Sequence, residues 1–356
     1  MSQFLIATRK GLFVFSAPTV AVCRSAFLGD PVTAVLPDSR DGALWVAVGR
    51  GRGGSKLFCS RNAGETFVEA TAPRHPEERE SASARGVATE QIWSLEAGLA
   101  QEAGVLYAGT LPGGLFRTQD SADSWQLCGA LWELRARWSG SGHEHPGLHS
   151  ISVDPRAPKT LSIAVSRGGI WHSDDAFETF EPRTTGMFAS DVPAAQKADP
   201  ANQDPHRLVR CAAAPDVLWC QHHDGVYRSA DAGRSWRALA TIEPSSFGYA
   251  VAAHPQDPLT AWFVPLESDS RRMPVGGKVV VARTRDGGES FELLSKGLPG
   301  PDAFDVVYRH ALDVSPDGKT VVMGSTTGSL FVSNDGGESW QSMHHLPPIS
   351  AVRFWH

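Results

Sequence analysis

The sequence predicts an all-β fold, a seven-bladed β-propeller of four-stranded antiparallel blades, on three observations. The first is a box of the form Ser/Thr-x-Asp-x-Gly-x-Ser/Thr-Trp/Phe that occurs six times. Its copies are SRNAGETF from Ser60, TQDSADSW from Thr118, SDDAFETF from Ser173, SADAGRSW from Ser229, TRDGGESF from Thr284 and SNDGGESW from Ser333. Successive starts lie 58, 55, 56, 55 and 49 residues apart, the period of stacked units that bury their apolar faces against one another. The second is the set of short strands around each box, and the third is the pair of incomplete units at the chain ends.

Each unit reads as four strands, labelled A to D from the inside out. An alternating A segment ends in a Pro turn, as in HSISVDP from His149, VRCAAAP from Val209, YAVAAHP from Tyr249 and HALDVSP from His310. A run rich in β-branched or aromatic residues follows as strand B: VLYAGT at Val105, LSIAVS at Leu161, VLWCQHH at Val217 and TVVMGST at Thr320. Strand C mostly opens on glycine, as in GGLFRT, GGIWHS, DGVYRS and GSLFVS, and leads into the box; strand D begins after the box aromatic. At the N-terminus FLIATR, GLFVFSA and VAVCRSAF match B, C and D with no A strand before them, while ISAVRFW from Ile349 supplies an A strand with nothing after it. Residues 1–28 and 348–356 therefore make a composite blade, closing the ring and hiding the sheet edges. Seven blades in one domain spanning 1–356 is the expectation, with six, one per box, as the alternative count.

Composition agrees with a soluble, turn-rich β protein: of 356 residues, 20% are charged and 41% hydrophobic, with 35 Gly and 24 Pro. The net charge of −6 and the lack of a Lys/Arg run argue against nucleic acid and membrane surfaces as partners. Five cysteines, Cys23, Cys59, Cys128, Cys211 and Cys220, form no CxxC pair, so free thiols and a reducing compartment are expected. No leader or membrane span is visible, and the cytoplasm is the expected location.

The box aspartates Asp120, Asp175, Asp231, Asp286 and Asp335, with Asn62 in the first box, are read as scaffold. A carboxylate can accept the N–H groups of a tight C–D turn, glycine can take positive φ, and the aromatic can wedge between blades. Chemistry is expected on the opposite face, where D–A connections and B–C turns meet. There the connections Ala70 to Gln91, Gly129 to Leu148 and Pro182 to His206, and the B–C turn from Glu267, are long.

Placing A strands on their closing Pro brings Gln91, His149, Val209, Tyr249 and His310 to the channel mouth, with Glu90, Trp93, Arg210, Tyr308 and Arg309 beside them. B–C turns add Arg9, Lys10, Arg50, Arg52, Arg167, His222, His223, Asp224, Glu267, Asp269, Arg271 and Arg272. So much His and Arg predicts an anionic or polyhydroxylated ligand, bound by Arg9, Lys10, Gln91, His149, Arg167, His206, Arg210, His222, Tyr249, Arg309 and His310. His149, His206 and His222 could gather around a divalent metal such as zinc, with His143 and His145 as further donors, or each could be an ordinary hydrogen-bonded loop histidine. Among groups that could act in catalysis, Glu90, Glu267 and Tyr308 are the candidates; a glycosidase needs two carboxyl groups about 5–10 Å apart.

The boxes resemble the BNR or Asp-box repeat of sialidases, sortilin-type receptors, xyloglucanase propellers and the photosystem II assembly propeller. Over nearly its whole length the chain resembles bacterial BNR-repeat, glycosyl-hydrolase-like (sialidase-like) proteins, through ATRKGLF at Ala7, QIWSLEAG at Gln91, LHSISVDP at Leu148, HHDGVYRSADAGRSW at His222, FGYAVAAHPQDP at Phe247, VPLESDSRR at Val264 and GSTTGSLFVSNDGGESW at Gly324. The resemblance implies a hydrolase-like propeller acting on or binding a carbohydrate. Sialidases would require an Arg-Ile-Pro motif near the N-terminus and six blades; this chain has no such motif, so no sialidase catalytic residue is carried over. The other class left open is a scaffold or assembly factor that binds a protein partner.

Overall fold

The computed structural model describes residues 3–17, 20–49, 54–75, 89–138 and 145–355. Arg50, Arg52 and His143 lie outside the described residues. Among these residues the strands form seven four-stranded antiparallel sheets arranged as propeller blades, each in the sequential order A-B-C-D. Blade 1 takes strands B to D from Gln3–Thr8, Gly11–Ser16 and Ala21–Ala26, and its A strand is Ile349–Trp355. The A strands of blades 2 to 7 are Val32–Pro37, Gln91–Ala97, Leu148–Val153, Pro205–Arg210, Gly248–Ala253 and Leu312–Val314. Neighbouring A strands touch around the central channel.

The composite blade forms as the sequence predicts. Ile349–Trp355 runs antiparallel to Gln3–Thr8, with Gln3 opposite Trp355 and Phe4 opposite Phe354. Ile349, Ala351, Val352 and Phe354 are buried. Ser350 Oγ donates to the carbonyls of Ala7 (3.1 Å) and Val32 (2.8 Å), and the Phe354 N–H donates to Asp313 Oδ2 (3.0 Å), so this strand also links blades 2 and 7.

Hydrogen bonding in the boxes repeats from blade to blade. In the box from Thr118, Asp120 Oδ1 accepts the Thr118 hydroxyl (2.6 Å) and the Ser124 N–H (3.0 Å), while Oδ2 accepts the Ser124 hydroxyl (2.5 Å). Asp175, Asp231, Asp286 and Asp335 do the same with their own boxes, and Asn62 Oδ1 accepts Ser60 and the Thr66 N–H. Two box tryptophans tie their blade to the one before: Trp125 Nε1 donates to the Thr71 carbonyl (2.7 Å) and Trp236 Nε1 to the Arg183 carbonyl (2.9 Å).

These bonds hold box carboxyls below their ordinary range, Asp120 to about 2 through the Ser124 hydroxyl and Asp175 to about 2 through the Thr179 hydroxyl. A depressed folded-state pKa contributes stability that is fully present above the unfolded value near 4 and is lost as pH falls through the folded value. Thermal midpoints recorded from pH 6 to pH 2 should therefore fall most steeply between about 4 and 2. An Asp175→Asn chain should show a shallower fall, and a flat profile across that window would contradict this role.

Blade 7 departs from the others. Its A strand spans only Leu312–Val314, because the segment before it, Phe304 to His310, leaves the sheet and enters the channel mouth. His310 pairs with Ala351 in an isolated parallel bridge, and its Nε2 donates to the His149 carbonyl of blade 4 (2.6 Å), on the far side of the ring. Asp305 anchors this segment by accepting the hydroxyls of Ser325 (2.7 Å) and Thr327. All five cysteines are free thiols, and Cys128, Cys211 and Cys220 are buried. No helix among the described residues is long and apolar enough to cross a membrane.

Candidate functional site

The crossing segment turns the channel mouth into a cup of about 1050 Å³. Its walls are B–C turns and D–A connections: Arg9 from blade 1, Ser166 and Arg167 from blade 4, and Asp269 and Arg272 from blade 6, facing Glu90, Gln91 and Trp93, Asp204 and His206, and Tyr308 to His310. Of the sequence-predicted residues, Arg9, Glu90, Gln91, Arg167, His206, Tyr249, Tyr308, Arg309 and His310 line the cavity, with His145. Lys10, His149, Arg210, His222 and Glu267 are not among its walls.

Each of those five has a physical reason. Lys10 is exposed in the tight turn after Thr8, its N–H bonded to Thr8 Oγ1 (3.1 Å). Glu267 is ion-paired with Arg271 at 3.0 Å. Arg210 lies at the opposite end of the channel, because the strand it was placed on runs from Pro205 to Arg210 and Pro215 falls farther past the strand end than the closing prolines of blades 4 and 6. There its Nε donates to Ser152 Oγ (2.9 Å) and its guanidinium reaches Asp154 and the Pro215 carbonyl. The mouth-facing residue of blade 5 is His206.

His149 is fully buried: its Nε2 donates to the Pro205 carbonyl (2.8 Å) and its Nδ1 accepts the Ser150 hydroxyl (2.9 Å). Burial pushes its pKa well below the ordinary histidine value. Both ring nitrogens of His222 face backbone nitrogens, Nε2 that of Asp204 (3.0 Å) and Nδ1 that of Asp224 (3.0 Å), and the neutral ring accepts from one of them. Both rings thus spend their nitrogens inside the protein, and the His149, His206 and His222 triad predicted for a metal does not assemble. Instead His206 comes together with Asp204 and His223, the ligand atoms of the three lying within 4.8 Å of one another.

Arg309 lines the cup. Its guanidinium carbon lies 5.0 Å from the Trp93 ring centroid and 5.1 Å from that of Tyr249, so two aromatic faces hold it in place. Its Nη2 contacts Ser166 Oγ at 3.4 Å, its buried Nε has no hydrogen-bond partner, and no carboxylate pairs with it among the described residues. Burial lowers its pKa, against the pull of Asp204.

Two carboxylates of the cup serve as acceptors. Asp269 Oδ1 accepts the Tyr249 hydroxyl (2.6 Å) and pairs with Arg272 (2.7 Å), and its pKa is lowered because these contacts outweigh burial. Asp204 Oδ1 accepts the Arg167 N–H (2.9 Å). Burial would raise its pKa, but its polar surroundings, among them the Arg167 N–H and Arg309, hold it far below the usual carboxylate range. Trp93, Tyr308 and the exposed ring of Phe304 complete an aromatic rim. Trp93, Asp269 and Arg272, also expected at the mouth, line it as well, whereas Asp204 and Phe304 are lining residues that the sequence reading did not place there.

Fold and cup together define a seven-bladed β-propeller with a polar, concave mouth, similar in architecture to GH74 xyloglucanases and YCF48. No protein-family model matches the chain, so its resemblance to the BNR group rests on the sequence repeat alone. Among curated proteins it is 23% identical over 354 residues to the oligoxyloglucan-reducing end-specific xyloglucanase of Emericella nidulans, a match covering 92% of this chain and 36% of that enzyme. Among solved structures, the Niastella koreensis GH74 enzyme superposes with a TM-score of 0.65 at 18% identity, covering 95% of this chain and 51% of the enzyme. The GH74 xyloglucanase of Xanthomonas campestris gives 0.63 at 17% identity, with 97% and 52% coverage. YCF48 bound to D1 peptide gives 0.53 at 15% identity, with 87% and 81% coverage. The chain thus spans about a third of the length of its curated relative and about half that of these GH74 enzymes.

Proposed function

We propose that the cup is the binding site for a carboxylated saccharide or a similarly anionic, polyhydroxylated small molecule. The observation that carries this reading is Arg309, a guanidinium held between two rings with no carboxylate against it among the described residues. Such a group is preorganised for a planar anion and already desolvated, so its hydrogen bonds to a ligand carboxylate are stronger than in water. Asp204 and Asp269 are ionised acceptors for sugar hydroxyls, while Trp93, Tyr308 and Phe304 offer apolar faces of the kind that pack against sugar rings.

The likeness to xyloglucan-acting enzymes supports a saccharide over other anions, but the propeller itself hosts many chemistries. A concave, polar mouth also favours a small molecule over a protein partner, for which a flat apolar face would be expected. If the cup also catalyses hydrolysis, Glu90 at the rim and Tyr308 are the groups to test, because Asp204 and Asp269 are committed as acceptors and cannot donate protons.

Calorimetric titration should separate these alternatives. Oligomers of uronic acids should bind while neutral xyloglucan oligosaccharides of the same length bind at least about tenfold more weakly, the cost of losing one charge-assisted contact. Equal binding of the neutral oligosaccharides would overturn the anionic specificity, and binding of neither would overturn the saccharide reading.

A further inference from the structure

We propose that Asp204, His206 and His223 form a site for one divalent transition-metal ion in the wall of the cup. Asp204 Oδ2 is the focus of the group. His206 Nε2 lies 3.7 Å from it, His223 Nδ1 3.8 Å and Arg167 Nε 3.9 Å. All three distances are too long for a hydrogen bond. Two ligands bound to one zinc ion at its usual bond lengths stand about 3.4 Å apart in tetrahedral geometry. The two His–Asp distances are within a few tenths of an ångström of that value, and with all three ligand atoms inside 4.8 Å of one another, side-chain adjustment converts this cluster into a two-histidine, one-carboxylate set.

The orientations of His206 and Asp204 are fixed by hydrogen bonds to other groups. His206 Nδ1 donates to the Gly248 carbonyl (2.7 Å), so the lone pair of the neutral ring is on Nε2 and points toward Asp204. A lone pair facing a carboxylate is repulsive unless a proton or a cation lies between them. Asp204 Oδ1 is held by the Arg167 N–H, which aims Oδ2 at the two rings. The backbone joins the outer pair, since the His223 N–H donates to the Asp204 carbonyl (2.9 Å). His206 also stacks on Tyr249 at 4.5 Å, and its ring is 2% exposed. Such support is how proteins fix ring orientation and tautomer at metal sites.

One carboxylate and two imidazoles suit zinc and its neighbours better than calcium or magnesium, which prefer oxygen ligands. Asp204 and His206 both line the cup, so an ion held by the three side chains would lie in its wall. The Arg167 side chain is the group that must move from Oδ2 as the ion arrives.

The test uses the full chain freed of metal with a chelator and titrated with Zn²⁺, followed by calorimetry, and with Co²⁺, followed by its visible absorption. One equivalent should bind, and His223→Ala, His206→Gln and Asp204→Asn should each weaken binding on the order of a hundredfold or more, beyond the loss typical of an outer-shell change. His223 is partly exposed, so its variant should keep the parent melting curve and remain informative if the buried substitutions do not fold. Arg309→Ala removes a cation near Asp204 and should not weaken metal uptake, which separates this site from the saccharide reading. Absence of saturable uptake by the parent chain, or uptake that survives in His223→Ala, would overturn the assignment; the first outcome would make His206 the protonated partner of Asp204.

Discussion

Replacing Arg309 with alanine should abolish anionic ligand binding without lowering stability. Two charge-assisted hydrogen bonds to a carboxylate contribute about 3 kcal/mol or more together, so affinity should drop at least about a hundredfold. Stability should respond differently, because burial disfavours the charge of this guanidinium and no carboxylate pairs with it among the described residues. Removing a buried cation that is poorly compensated is often neutral or stabilising. Arg309→Lys should fall between the two, keeping the charge but losing the planar stack on Trp93 and Tyr249. Calorimetric affinities and melting temperatures for the three proteins decide the matter. Unchanged affinity in Arg309→Ala would remove Arg309 from the site, and a collapse of the melting temperature would make it a structural residue.

Ending the chain at Pro347 should prevent formation of the closed ring. The deleted strand buries Ile349, Val352 and Phe354 with Ala351, and at about 1.5–3 kcal/mol for each large side chain the loss is on the order of 5–9 kcal/mol before its ladder bonds are counted. That is comparable to the whole stability of a typical domain. The truncated chain should lack a cooperative thermal transition and expose dye-binding apolar surface. A synthetic peptide ISAVRFW should restore part of the transition by refilling the vacant A position. A truncated chain that melts cooperatively within a few degrees of the parent would show that the ring does not depend on this closure.

The architecture was legible because its determinants are local and repeated. Box serines, threonines and aspartates bond to one another within a few residues, so their signature survives in one dimension, and the unmatched strands at the two ends count the seventh blade. The mouth was only partly legible. A strands carry irregular pairing where they begin, with register shifts between Val32 and Ala34, Ile92 and Ser94, Leu148 and Ser150, Pro205 and Arg207, and Gly248 and Val251. A bulge breaks the alternation of inward and outward side chains, so counting back from the closing proline does not fix which side chains face the channel. His149 therefore turns into the protein, while Trp93 and His206 face the cup.

Asp204 was missed for a related reason. It lies just before a strand, beside a proline, in a connection where an aspartate usually means a solvated turn; only the spatial arrival of Arg167, His206 and His223 gives it a role. The crossing of Tyr308, Arg309 and His310 was equally invisible, since nothing in YRH signals that the chain leaves its sheet there.

The pairing of Gln3 with Trp355 has a practical meaning. Strand Gln3–Thr8 runs toward the cup, where Arg9 joins its wall, and Ile349–Trp355 begins at that rim and runs away from it. Both ends of the described chain therefore emerge side by side on the face that carries the boxes. A tag, a linker or a solid support attached at either end would hold the molecule like a goblet by its stem, with the bowl turned outward and open to solution.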